Sequence, residues 1–297
     1  MSFTLEVKKE LSGARLSERH AEAEIFGMLM LCRSFSFDKI VFQTGSREAA
    51  ERFCSLTRYV FGITAEMTIG GTSRPTYTAK INSASERKKI LYQLGFKKGE
   101  EVYLNPEVLK TEGSIGAFVR GAFIAGGSMS DPEKEYRIDF SFNFEEKADK
   151  FIELLMSRGI TLKKLSRQGK FLAYVKESTV LEDILTLMGA SNETLNLINV
   201  KIYKSMNNKI NRKNNCETKN ILKSADAAFL QTQAIKKLKK ARKLELMPEE
   251  LIEAAALRLA NPSSSLSELC RISGNRITRS GLSHRFNRII ALSKEVK

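Results

Sequence analysis

Residues 119–127 read Val-Arg-Gly-Ala-Phe-Ile-Ala-Gly-Gly (VRGAFIAGG), with Ala117-Phe118 before them and Ser128 after. Glycines at 121, 126 and 127 interrupt an apolar run that otherwise has the texture of a buried helix. An interior glycine costs a helix about 1 kcal/mol relative to alanine, so this one requires another backbone close against it. The partner is found 94 residues upstream, where the apolar stretch Ala21 to Arg33 (AEAEIFGMLMLCR) carries Gly27 in the place of Gly121.

Each of these helices heads a copy of one pattern. After the first come short strands near Ser34–Phe37 and Ile40–Thr44, a helix over about Arg47–Phe61, strands near Thr64–Ile69 and Tyr77–Ile81, and a helix near Ser85–Leu94. After the second, Ile115–Ala125, come a strand at Tyr136–Phe142 beyond the Asp131-Pro132 turn and a helix over about Glu145–Arg158. Strands near Thr161–Ser166 and Phe171–Val175 and a helix over Thr179–Met188 complete it. Both copies read αββαββα, and a repeat of this length implies a pseudo-twofold domain rather than a solenoid. Its halves are residues 1–94 and 95–190. The strands alternate as half-exposed sheets do: Tyr77, Ala79 and Ile81 oppose Thr76, Thr78 and Lys80, and Ile138, Phe140 and Phe142 oppose Arg137, Asp139 and Ser141. The wet face is only partly basic, and Asp139 would repel phosphate.

From about residue 191 the texture changes. Residues 191–218 are polar and rich in Asn and Lys, and read as a connector or linker helix; residues 219–297 form a helical domain. Its first helix, about Lys219–Lys243, ends in KKLKKARK, six cations in eight residues. Pro248 with Glu249 and Glu250 starts another helix, proline in the first turn and acids at the positive dipole end. It stops at Asn261-Pro262, and Ser265-Leu266-Ser267-Glu268 is a capping box opening a short helix. Gly274-Asn275 ends that helix, and Thr278 to Ser280 cap a last one with the apolar stripe Leu282, Phe286 and Ile289. A short second helix, a tight turn and a basic third one describe a helix-turn-helix, here at about 265–297. Ser280, Ser283, His284, Asn287 and Arg288 point away from the stripe, with Thr278 and Arg279 at the amino end. Arg and Asn are the residues that make paired bonds to guanine and adenine. Arg276 and Arg285 suit phosphates, as do Lys236, Lys237, Lys239, Lys240 and Lys243.

The charge agrees. The chain of 297 residues has a formal net charge of +15. Residues 1–215 hold 33 Lys+Arg against 26 Asp+Glu, while residues 216–297 hold 16 against 8, so the shorter stretch carries just over half of the excess. A basic C-terminal third points to a polyanion, nucleic acid before membrane. Four isolated cysteines and two histidines exclude zinc spacing and suit a reducing cytoplasm. There is no signal-length apolar segment at the amino end and no apolar run of spanning length.

Two glycine-bearing helices at the head of two αββαββα copies resemble the LAGLIDADG homing endonucleases, in which an acid near the end of each helix holds the divalent metal for phosphodiester cleavage. Alignment on Gly27 and Gly121 places Cys32 and Gly126 at those positions, with Met30 and Ile124 two residues earlier. Neither helix carries a carboxylate there, and Asp38 and Asp131 fall beyond the helix ends. With SFTLEVKKEL, FVRGAFIAGGSMSDPEKEYRIDF, NRKNNCETKNILKSADAA and SLSELCRISGNRITRSGLSHRFNRI, the chain resembles the WhiA family along nearly its whole length. These are bacterial regulators tied to cell division, chromosome segregation and, in sporulating actinobacteria, sporulation septation. Arg276-Ile277-Thr278-Arg279 in the turn departs from the family in detail and bears on which bases are read.

The resemblance implies an α+β, pseudo-twofold LAGLIDADG-type domain followed by an all-α helix-turn-helix domain, acting as a sequence-specific DNA-binding transcription regulator without enzymatic activity, metal or cofactor. The expected partner is double-stranded DNA, with another transcription factor or RNA polymerase as candidate protein partners and no membrane. The expected location is the cytoplasm, at the nucleoid. Two other readings stand beside it: a protein-interaction scaffold tethered to DNA, and an active nuclease with displaced ligands.

Overall fold

The computed structural model describes residues 2–295 except 16, 17, 19, 99–103 and 112. The chain divides into two compact units, the first ending at Tyr203 and the second starting at Lys204.

In the first unit, α1 (Phe3–Gly13) precedes the two repeats. The first repeat is α2 (Ala21–Met30), β1 (Ser34–Phe35), β2 (Ile40–Thr44), α3 (Arg47–Phe61), β3 (Glu66–Gly70), β4 (Thr76–Ile81) and α4 (Ala84–Gln93). The second is α5 (Ser114–Gly126), β5 (Gly127–Met129), β6 (Ile138–Phe142), α6 (Glu145–Met156), β7 (Lys163–Arg167), β8 (Lys170–Val175) and α7 (Ser178–Met188). Both sheets are antiparallel with the same strand order, β1-β2-β4-β3 and β5-β6-β8-β7. The repeated pattern read from the sequence is therefore a repeated topology, and the fold is α+β.

Gly27 and Gly121 explain each other. A Cβ on Gly27 would fall 2.0 Å from the Phe118 carbonyl oxygen, and one on Gly121 would fall 1.9 Å from the Glu24 carbonyl oxygen. Phe118 stands 94 residues after Glu24, so the two collisions are one contact seen from either side of a pseudo-dyad. Only glycine allows backbones this close. The rings repeat too: Phe42 on β2 stacks on Phe53 of α3 at 4.6 Å, and Phe140 on β6 meets Phe151 of α6 at 4.7 Å. Phe26 and Phe118 meet across the dyad at 5.5 Å.

Three local differences from the sequence reading have plain causes. The helix expected over Ile115–Ala125 runs one residue further, to Gly126, and Gly127 is extended (φ −81°, ψ 150°) and opens β5, a short strand absent from the sequence reading. The segment Phe3–Gly13 is a helix whose Thr4 hydroxyl bonds the Met129 amide and carbonyl at 2.9 and 2.8 Å, which satisfies the end of β5. The polar segment expected as a connector is part of one 50-residue helix, α8 (Ser191–Lys240). No glycine or proline interrupts it. The Glu10 carboxylate accepts from the Asn192 and Glu193 amides at 2.8 and 3.1 Å, and Lys237, Lys239 and Lys240 stand at the negative end of the dipole.

The second unit packs the end of α8 with α9 (Glu249–Ala260), α10 (Leu266–Ile272) and α11 (Arg279–Lys294). Its core is Ile235, Leu238, Leu251, Ala254, Ala255, Leu269, Leu282, Phe286 and Ile289. The capping box at Ser265 is formed on both sides, and Thr278 caps α11 by accepting from the Gly281 amide at 3.2 Å. Gly274 (φ 67°) and Asn275 (φ 59°) make the left-handed turn between α10 and α11.

Candidate nucleic-acid interface

Helix α11 is sorted by its period. Leu282, Phe286 and Ile289 are fully buried, which turns Ser280, His284, Asn287 and Arg288 to solvent and leaves Ser283 half-buried. Arg276, Thr278 and Arg279 are exposed at its amino end, and no carboxylate occurs from Arg276 to Lys294. Residues with donors and acceptors for base edges thus share one surface. Lys236, Lys237, Lys239, Lys240 and Lys243 are all exposed around the end of α8, while Leu238 between them enters the core.

Arg285 lies elsewhere than the sequence suggests. It neighbours the buried stripe, so its guanidinium turns back to α9, with Nη1 3.4 Å from Glu253 and Nη2 3.4 Å from Glu250. Its place is between two helices rather than on the open face.

Arg258 escaped the sequence reading altogether. It falls one heptad after Leu251, on the stripe of α9 that also buries Ala254 and Ala255, and is 1% exposed. Its Nε donates to the Gln231 side-chain oxygen at 3.0 Å and its Nη1 to the carbonyls of Asn261 and Ser264. The guanidinium carbon lies 5.2 Å from the Phe286 ring centre. Burial lowers its pKa. A cation on the apolar stripe of an otherwise regular helix was the signal that could have found it.

The helix ends that would carry metal ligands in a nuclease are closed. Cys32 is 5% exposed, its thiol donates to the Ser34 carbonyl at 3.0 Å, and burial pushes its pKa up to about 12. At Gly126 a Cβ would sit 3.0 Å from the Leu31 side chain and 3.1 Å from the Ser141 carbonyl. Met30 and Ile124 are buried. Asp131 is turned to its own loop, accepting from the Glu133 amide at 2.9 Å. Among the described residues no three of His, Cys, Asp or Glu are placed so that they could hold a metal ion. A divalent cation needs several oxygen ligands, and these residues do not fit one. The thiol state is directly testable: at pH 8, with about one part in ten thousand as thiolate, Cys32 stays unmodified by iodoacetamide in the folded chain while exposed Cys216 is labelled. Peptide mapping reads this, and labelling of both at one rate contradicts the burial.

The one prominent carboxylate of the paired helices serves the scaffold. Glu24, 1% exposed in the first turns of α2, is held by Arg52 of α3 at 2.8 and 3.0 Å and by Arg120 of α5 at 3.1 and 3.2 Å. Arg52 also reaches the Ala14 carbonyl and Arg120 the Met188 carbonyl.

Fold and site together define a two-part protein, a LAGLIDADG-like domain that has lost its acids and a C-terminal helix-turn-helix. Family models describing the "WhiA LAGLIDADG-like domain" and the "WhiA C-terminal HTH domain" match residues 115–207 and 210–293. The "Probable cell division protein WhiA" of Ruminiclostridium cellulolyticum is 31% identical, covering 100% of this chain and 98% of its own, and that of Clostridium novyi is 32% identical over 100% and 99%. The chain belongs to the WhiA family. The crystal structure of full-length WhiA from Thermatoga maritima has the same fold, with a TM-score of 0.61 at 22% identity, covering 100% of this chain and 99% of that one. No described helix is long and apolar enough to cross a membrane.

Proposed function

We propose that this chain is a sequence-specific DNA-binding transcription regulator that acts in cell division and chromosome segregation, and in sporulation where the host sporulates. The observation that carries the reading is the outward face of α11, on which Ser280, Ser283, His284, Asn287 and Arg288 stand together, with no acid in the chain between Arg276 and Lys294. In a helix-turn-helix this face enters the major groove. The name shared by its relatives supports the cellular role. The paired-helix domain is a nuclease scaffold without catalytic acids and cuts nothing. Such a protein works in the cytoplasm at the nucleoid, alongside RNA polymerase or another transcription factor.

The test is to mix the full chain with sheared genomic DNA and magnesium, then sequence the retained fragments and their ends. Enrichment of a shared short motif with uncut ends is the expected result; cuts at a fixed place within it would restore the nuclease reading. Once a motif is in hand, Arg288→Ala and Asn287→Ala cost about 1–3 kcal/mol each and relax base preference at the positions they read. Alanine at Lys236, Lys237, Lys239, Lys240 or Lys243 instead weakens binding alike on all sequences and lowers the slope of log K against log salt by about 0.9 per lost phosphate contact. Selectivity unchanged in both α11 variants would mean that the helix touches only backbone.

A second reading rests on the outer face of the second sheet. Leu165 and Leu172 pair across it beside Tyr174, and Arg137 neutralises Asp139 at 2.6 Å while lying 4.9 Å from the Tyr174 ring centre. Such a face suits a protein partner better than phosphate. Protection of these residues from hydrogen exchange by DNA alone would count against it.

A further inference from the structure

Below Arg279, at the amino end of α11, the second unit holds a cavity of about 470 Å³. Its charged lining is Lys223 from α8, Arg258 from α9 and Arg279, and its neutral polar lining includes Gln231 and Ser267. No carboxylate is among the lining residues. Two acids adjoin lining residues in sequence: Glu268 is occupied by the Ser265 amide at 2.6 Å in the capping box, and Asp226, beside Ala227 on α8, is exposed.

Arg258 makes this cavity unusual. A buried charge is ordinarily paired, because desolvation without a counter-charge is costly. Arg258 has no ion pair among the described residues: its bonds go to one amide oxygen and two carbonyls, and its Nη2 takes no protein acceptor. Its guanidinium therefore contributes an uncompensated positive charge and a free donor edge at the cavity wall. Lys223 and Arg279 are both exposed at the rim, so an incoming anion meets mobile cations first and the fixed one last. Guanidinium groups match the geometry of phosphate oxygens, and a phosphate is the anion that three cations and hydroxyls together suit.

We propose that this cavity is a phosphate-binding site in which an incoming phosphate supplies the counter-charge that Arg258 lacks. The inference deepens the DNA-binding reading: the phosphate would come from the nucleic-acid backbone, pinned beside α11, or from a free phosphorylated molecule entering the same place. It also changes the role of Arg279. As part of the cavity rim, Arg279 holds a phosphate rather than reading a base, and Arg279→Ala weakens binding on every sequence without relaxing preference.

The experiment uses the full chain with 15N-labelled arginine. The Arg258 side-chain signals are assigned through the Phe286 ring, and sodium pyrophosphate or a random-sequence duplex is added in separate arms. The expected result is that the duplex shifts the Arg258 signals. In parallel, Lys223→Ala lowers the slope of log K against log salt by about 0.9, with equal loss on all duplexes. Shifts with the duplex that millimolar pyrophosphate does not displace assign the site to backbone phosphate. Shifts with pyrophosphate that duplex does not add to assign it to a free phosphorylated ligand. If neither probe moves Arg258 and Lys223→Ala and Ser267→Glu leave the salt slope unchanged, the proposal is overturned. A chain that binds no duplex at all would defeat the DNA-binding reading alone, and pyrophosphate would then decide the site by itself.

Discussion

Gly121→Ala lowers the stability of the first unit by about 3 kcal/mol or more, at the upper end of what overpacking a core costs. The added Cβ would stand 1.9 Å from the Glu24 carbonyl oxygen and 3.0 Å from the Met28 amide nitrogen, both backbone atoms that no rotamer change can move aside. The helices α2 and α5 must separate, and the rings of Phe26 and Phe118 between them lose contact. Gly27→Ala has the same effect from the other side, with its Cβ 2.0 Å from the Phe118 carbonyl oxygen. Gly45→Ala is the control, since nothing lies within 4 Å of its Cβ. In a unit of this size the loss corresponds to a fall in Tm of about 10 °C, measured by thermal denaturation. Equal melting of the Gly121 and Gly45 variants would mean that the two helices do not cross as described.

The second large effect belongs to Glu24. Removing one member of a buried ionic cluster leaves charges without partners, and such losses run to about 3–5 kcal/mol. Glu24→Ala strands Arg52, 8% exposed, and Arg120, 15% exposed, at the junction of α2, α3 and α5. Glu24→Gln keeps the shape and part of the hydrogen bonding, so it falls between the alanine variant and the native chain. Urea unfolding curves check this ordering. An alanine variant within 1 kcal/mol of the native chain would show that water enters and solvates the arginines. The buried carboxylate of the paired helices thus stands at the start of α2, away from the helix ends, as a clamp between the repeats.

What could be read from the sequence was what periodicity and capping encode. Alternation along Thr76–Ile81 and Ile138–Phe142 located sheet faces because a side chain's face in a strand is fixed by parity. Ser265 to Glu268 located α10 because the capping box is a local exchange of two hydrogen bonds. The glycine pair located the dyad because close backbone approach leaves few other residues possible. The parts that were not legible depend on groups far apart in the chain. Helix α8 runs through a polar segment whose apolar residues Leu195, Met206 and Ile210 stay exposed, and its start is capped by Glu10, more than 180 residues earlier. Arg285 is drawn inward by Glu250 and Glu253 of another helix, which its own helix does not announce. Arg258 and Lys223 meet Arg279 only once three helices are packed.

The packing of the two helix ends bears on how easily an acid could be placed there. At one end the Cys32 thiol lies at 5% exposure against the Ser34 carbonyl; at the other, the Leu31 side chain stands 3.0 Å from where a Cβ on residue 126 would be. An acid placed at residue 32 alone would be a buried, unpaired charge, and one at residue 126 alone would bring its Cβ within 3.0 Å of the Leu31 side chain, which must shift to admit it. Only several simultaneous changes would reopen the position. Selection that proceeds one substitution at a time, each required to leave a folded chain, therefore tends to keep these two helix ends packed and free of acid.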